Sequence, residues 1–158
     1  MSSKAIYSAF DTALYYITFK DRTIKEIQGK LKDKGYSDSE IDDATSKLIE
    51  YGYINEDNYA FSYIKSNINN KGIKRIKQEL LSKGLDKTTI IEQSSMFDIC
   101  EDDIIINILE KRYPHLDYSK EKEMRKVYSF FVRRGFRYDS ISSALSKYRK
   151  NSIIALDL

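Results

Sequence analysis

A ten-residue helical phrase ending in a basic residue and a glycine occurs three times in this 158-residue chain, at Lys34-Gly35, Lys83-Gly84 and Arg134-Gly135. The glycines lie 49 and 51 residues apart. When they are superimposed, the columns eleven, eight and four residues before them read Ile24/Ile73/Met124, Ile27/Ile76/Val127 and Leu31/Leu80/Phe131. The columns one, six and thirteen residues after them read Tyr36/Leu85/Phe136, Ile41/Ile90/Ile141 and Leu48/Phe97/Tyr148. At 41% apolar residues, chance supplies about two all-apolar columns in such a window, and six are present. The i, i+3, i+7 spacing ahead of each glycine marks one face of a helix. Units of this length with helical periodicity point to stacked helical repeats.

The expected fold is therefore all-α: three tandem three-helix repeats stacked into an elongated, curved body. Residues 1–12 form the N-terminal part of the first helix, 13–55 the first repeat, 56–99 the second, 100–150 the third and 151–158 a C-terminal tail. One proline, Pro114, and six glycines leave little room for long irregular stretches. Thirteen tyrosines suit half-buried seams between thin helical layers, because the ring packs while the hydroxyl stays wet.

Local signals place the helices. The first spans about Lys4 to Phe19, with Ile6, Phe10, Ala13, Leu14 and Ile17 on one side. Thr23-Ile24-Lys25-Glu26 is a capping box, so a second helix starts at Thr23 and stops at Gly35, which can adopt the left-handed conformation that ends a helix. Ser37-Asp38-Ser39-Glu40 is another box and opens a helix to about Tyr51. The second repeat follows the same plan, with helices from Glu56 after the cap Asn55, from Gly72 to Lys83 and from Lys87 to Met96. Helices at about Glu101–Tyr113, Ser119–Arg134 and Asp139–Arg149 complete the third. Residues 151–158 hold Ile153, Ile154, Leu156 and Leu158, which either pack back or fray.

The catalytic inventory is nearly empty. One histidine, His115, and one thiol, Cys100, cannot build a His-containing triad or a His/Cys zinc site. His115 follows Pro114 in a loop, where a surface or packing role is the ordinary one. No glycine-rich phosphate-binding motif is present. Glu101-Asp102-Asp103 could suggest a cation site, but acidic residues at a helix start are favoured by its dipole. The expectation is a non-enzyme without cofactor or metal. A lone cysteine fits a reducing cytoplasm, the first ten residues lack the pattern of an export signal, and no window is apolar enough to span a membrane.

Charge is unevenly placed. The net value is +3, and most of the excess lies in the third repeat, where Cys100 to Lys150 holds twelve basic and eight acidic residues. Lys111, Arg112, Lys120, Lys122, Arg125, Lys126, Arg133, Arg134 and Arg137 there face Asp117, Glu121 and Glu123, a candidate surface for an anionic partner or a solvated helix face. Two columns are basic in all three repeats. Lys34/Lys83/Arg134 sits in a last helical turn, where the dipole favours a cation. Lys25/Lys74/Arg125 sits in a first turn, where it does not, so these residues are candidates for facing an anion. Lys71, Arg75 and Lys77 add a second basic region. The paired short helices also suggest a helix-turn-helix, but Glu40, Asp42 and Asp43 ill suit a helix placed in the major groove.

The ordered motif set resembles a known family. It comprises Arg22-Thr23-Ile24-Lys25-Glu26-Ile27, Lys30-Leu31, Lys34-Gly35-Tyr36, Gly52-Tyr53-Ile54-Asn55-Glu56, Tyr59-Ala60, Gly72, Arg75-Ile76, Glu79-Leu80, Lys83-Gly84-Leu85, Phe131-Val132-Arg133-Arg134-Gly135-Phe136 and Ile141. Together these cover about Ala13 to Leu145 and look like the RecX regulators of bacterial RecA recombinase. The chain departs from the family at Lys20-Asp21-Arg22, where two arginines are common, and in the link from Phe97 to Glu101.

The resemblance implies a monomeric cytoplasmic regulator that lies in the groove of the RecA filament on single-stranded DNA. There it would hinder filament extension and the recombinase, ATPase and coprotease activities, so modulating DNA repair and recombination. The residues expected to meet RecA, or DNA directly or through the filament, are Lys25, Lys71, Lys74, Arg75, Lys77, Arg125, Lys126, Arg133, Arg134 and Arg137. A direct DNA-binding protein using the third repeat is the alternative.

Overall fold

Helix caps written into the sequence set the frame of the structure. The computed structural model describes residues 6–156, with side chains described through residue 153. Among these are nine α-helices: α1 (Ala9–Phe19), α2 (Ile24–Asp33), α3 (Asp38–Glu50), α4 (Glu56–Asn67), α5 (Ile73–Ser82), α6 (Lys87–Ser95), α7 (Glu101–Arg112), α8 (Glu121–Arg133) and α9 (Tyr138–Leu156). No strand occurs among the described residues. Both expected capping boxes form, at Thr23 with Glu26 and at Ser37 with Glu40. Asn55 accepts a hydrogen bond from the Asn58 amide, as an N-cap does.

Three boundaries differ from expectation. The Ser8 side chain accepts from the Asp11 amide and starts α1 there, leaving Ile6, expected on the apolar face, 92% exposed; Lys4 lies outside the described residues. α8 opens at Glu121 rather than Ser119, because Ser119 is held by its amide and hydroxyl on the Asp117 carboxylate. α9 does not stop near Arg149 but continues to Leu156, since nothing after Tyr148 breaks a helix. Residues 151–156 of the expected C-terminal tail are thus helical, and the last two residues lie outside the described range.

The described helices pack into two compact units. One runs to Tyr63 and resumes over Glu79–Met96, and the other comprises Ile64–Gln78 and the chain from Phe97 onwards. In the first, α1 packs on α2 and α3 around Ala13, Ile27, Leu31, Ile41, Ala44 and Leu48. In the second, α9 packs on α7 and α8 around Ile105, Leu109, Val127, Phe131, Phe136, Ile141 and Leu145. Three of the repeat columns lie wholly in the core of these units, with Ile27, Ile76, Leu31, Leu80, Phe131 and Ile141 each 0% exposed, while the Ile24/Ile73/Met124 column is half-buried. The last column loses its middle member. Phe97 lies beyond α6 and is half-buried, whereas Leu48 and Tyr148 are buried within helices.

Candidate functional site

Each helix that carries the basic-Gly phrase ends in a turn whose glycine has a positive φ, 87° at Gly35, 93° at Gly84 and 83° at Gly135. In the first unit the turn at Gly84 receives the start of α2. A Cβ on Gly84 would lie 2.6 Å from the Lys25 Cβ, so the lysine stem crosses the glycine at a distance no other residue allows. The Lys25 Nζ donates to the Ser82 carbonyl at 3.1 Å and the Thr23 hydroxyl to the Lys83 carbonyl at 2.7 Å. The Ile24 amide donates to Glu56 Oε1 at 3.1 Å. Orphan donors at the start of α2 and orphan acceptors at the end of α5 are therefore satisfied together.

The second unit repeats this joint with different residues. The start of α5 meets the turn at Gly135, where an added Cβ would lie 2.3 Å from the Arg75 Cβ. Arg75 Nη1 donates to the Arg133 carbonyl at 2.5 Å, the Gly72 amide to the Arg134 carbonyl at 2.8 Å and the Ile73 amide to Glu101 Oε1 at 3.2 Å. Gly72 takes the place of Thr23 because a Cβ there would lie 2.2 Å from the Gly135 carbonyl oxygen. Lys25 and Lys74 share a sequence column, yet the partner of Lys25 in structural role is Arg75, one residue further on.

Several candidate residues thus have work inside the chain. Lys25 and Arg75 tie the two joints. Arg134 donates to the Asn70 carbonyl at 3.0 Å, and its guanidinium lies 4.4 Å from the centre of the Phe130 ring. The Arg137 amide and guanidinium both engage Glu101 Oε2, at 3.2 and 3.5 Å. Glu101 is 6% exposed, so the first acid of Glu101-Asp102-Asp103 is a buried acceptor for two segments. Asp102 accepts from Lys147 at 2.7 Å and Ser143 at 2.5 Å, and these bonds, Lys147 foremost, hold its carboxyl below the ordinary range. No group of His, Cys, Asp and Glu able to hold a metal ion occurs among the described residues. Lys71 and Lys77 are half-buried and Lys74 is exposed beside Arg75.

The structure brings other cations together on α8. Lys122, Lys126, Ser129 and Arg133 follow one face and, with Glu121 and Arg125, line an open groove of about 610 Å³. Arg125 pairs with Glu121 one turn earlier, both largely exposed, a contact that contributes little in water. Lys122, Lys126 and Arg133 are exposed and form no ion pair among the described residues. Lys122 belongs to the basic surface expected of the third repeat but was not among the residues expected to meet RecA or DNA. Its i, i+4 relation to Lys126 was the available signal.

The first joint has an electrostatic side. Glu26 Oε1 and Lys83 Nζ are 3.1 Å apart. Burial opposes the Glu26 charge, but the Thr23 amide, Lys83 and Arg22 outweigh it and hold the carboxyl below its ordinary range. Burial likewise opposes the Lys83 charge, and its bonds to Glu26 and Tyr59 raise its pKa in spite of that. For Glu56 burial prevails, aided by Asp86 and Asp57 and opposed by the Ile24 amide, and its carboxyl is pushed up.

Paired helices, glycine turns that receive the preceding repeat and an exposed cationic helix face define a helical-repeat protein. Family models for RecX match the chain in order: the first three-helix domain at residues 9–48, the second at 55–92 and the third at 101–145. Regulatory protein RecX of Clostridium perfringens is 30% identical over 145 residues, covering 89% of this chain and 68% of the relative. That of Clostridium beijerinckii is 33% identical over 142 residues, covering 87% and 66%. The crystal structure of RecX from Lactobacillus salivarius superimposes with a TM-score of 0.73 at 28% identity, covering 89% of this chain and 94% of that one. The chain belongs to the RecX family of regulatory proteins. It spans about two thirds of the length of these two curated relatives and 56% of that of Bacillus cytotoxicus.

Proposed function

We propose that this chain regulates a RecA-type recombinase by binding its filament on single-stranded DNA in the cytoplasm, restraining ATP hydrolysis, strand exchange and coprotease activity. The reading rests on family membership, and the observation that carries it to residues is the exposed run Lys122, Lys126 and Arg133 on α8. Anionic groups, whether carboxylates of a filament groove or phosphates, would meet these side chains without disturbing the joints. Lys25, Arg75, Arg134 and Arg137 belong to the scaffold that presents them, and Lys71, Lys74 and Lys77 flank it.

The test is ATP hydrolysis by a homologous recombinase on single-stranded DNA. Addition of the chain lowers the rate at near-stoichiometric amounts, and an unchanged rate rules the reading out. Direct DNA binding is a second reading, favoured by the same three cations because their spacing lets several phosphates be met along one helix. A gel shift without recombinase separates the two: direct binding weakens steeply with salt, by about 0.7 in the logarithmic slope for each single-strand phosphate contact.

A further inference from the structure

The two internal joints use one hexapeptide pattern, and the chain holds a third copy. Arg22-Thr23-Ile24-Lys25-Glu26-Ile27 sits against the turn at Gly84, and Lys71-Gly72-Ile73-Lys74-Arg75-Ile76 against the turn at Gly135. The third, Lys122-Glu123-Met124-Arg125-Lys126-Val127, opens α8 and matches at the leading cation, the two apolar positions and the first-turn cation. Val127 is buried in its own unit, while Lys122, Arg125 and Lys126 are exposed and no side chain caps the helix. The receiving turns have an unmatched member as well. Gly35 has the same left-handed conformation as the other two, yet a Cβ built on it meets nothing within 4 Å. The chain thus presents one unused insert and one unused turn.

We propose that these two halves mate between copies, the start of α8 in one chain docking on the Gly35 turn of the next. Charge favours this pairing. In the first internal joint Lys25 reaches Ser82, two residues before the glycine; at the Gly35 turn that position is Asp33, and the residue brought to it is Arg125. The contact is head-to-tail, so it does not saturate at a pair. Two departures weaken it relative to the internal joints. Glu123 replaces the smaller Thr23 and Gly72 at the closest approach, and Ala9 opens α1 where Glu56 and Glu101 open α4 and α7 and supply an acceptor. Assembly is accordingly concentration-dependent, in place of the monomer expected from the sequence.

Sedimentation equilibrium of the chain alone, without recombinase or DNA, tests this independently of the proposed function. The wild-type average mass rises past two chains between micromolar and millimolar concentration. Asp33→Arg and Arg125→Asp, both at exposed positions, each remain at one chain. An equimolar mixture of the two assembles past two chains again, because the intact turn meets the intact insert at one contact and the exchanged charges attract each other at the next. A wild-type mass that stays at one chain or stops at two overturns the proposal, as do single variants that assemble like the wild type.

Discussion

Arg75 lies across Gly135, its Cβ 2.3 Å from where a Cβ on the glycine would be. The same relation holds Lys25 to Gly84 at 2.6 Å. A glycine that ends a helix tolerates alanine at the cost of its backbone conformation, whereas one that also receives another helix does not.

Gly35→Ala is expected to cost about 1 kcal/mol, the strain of a left-handed alanine less the entropy that the unfolded chain loses. Gly135→Ala adds steric overlap with Arg75 and is expected to cost about 3 kcal/mol or more. Urea unfolding of both variants checks the difference. Equal losses would mean that the joint yields without cost.

Thr23 is fully buried, caps α2 by accepting from the Glu26 amide and donates to the Lys83 carbonyl. Thr23→Val keeps the shape and removes both bonds, for an expected loss of about 2–3 kcal/mol. Thr23→Ser keeps both and should lose much less, as thermal melting of the pair would show.

The carboxyls of the first joint respond to pH with opposite sign. Glu26 is held below its ordinary 4.5, so its contribution is present above that value and fades as pH falls through the depressed one. Lys83 is raised above 10.5, so its contribution is present below that value and fades as pH rises through the raised one. Glu56 is raised above 4.5; its contribution is present below 4.5 and lost as pH rises through the higher value. Glu56→Gln retains an acceptor for the Ile24 amide and removes that loss. The variant should equal or exceed wild-type stability at neutral pH and lose the advantage in acid, measured by denaturant midpoints across pH.

Basic residues of the third repeat are expected to divide by location. Arg137→Glu places a like charge beside buried Glu101 and, because the Arg137 side chain is itself largely exposed, should destabilise by about 1–2 kcal/mol, whereas Lys126→Glu, at an exposed position, should stay within about 0.5 kcal/mol of wild type. Comparable losses would contradict the distinction between scaffold and exposed face.

The helices were legible because their signals are local. Capping boxes at Thr23 and Ser37, the glycine stops and the apolar columns each involve neighbours in sequence. The joints were not, because they link positions far apart and mix backbone with side chain: Thr23 and Gly72 reach equivalent carbonyls by a hydroxyl and by an amide, and Lys25 is matched by Arg75 instead of Lys74. Composition made Arg134 and Arg137 resemble Lys126 and Arg133. Only packing separates the first two, held by Asn70, Phe130 and Glu101, from the others.

Action of the exposed α8 cations on a recombinase filament is what ties the proposed function to particular residues. Its most direct test compares the wild type with Lys122→Glu/Lys126→Glu/Arg133→Glu for inhibition of recombinase ATP hydrolysis on single-stranded DNA, alongside their melting temperatures. The variant should melt within a few degrees of wild type and need at least about tenfold more protein for equal inhibition, the equivalent of about 1.4 kcal/mol of lost interaction. A variant that folds and inhibits as the wild type does would contradict the account.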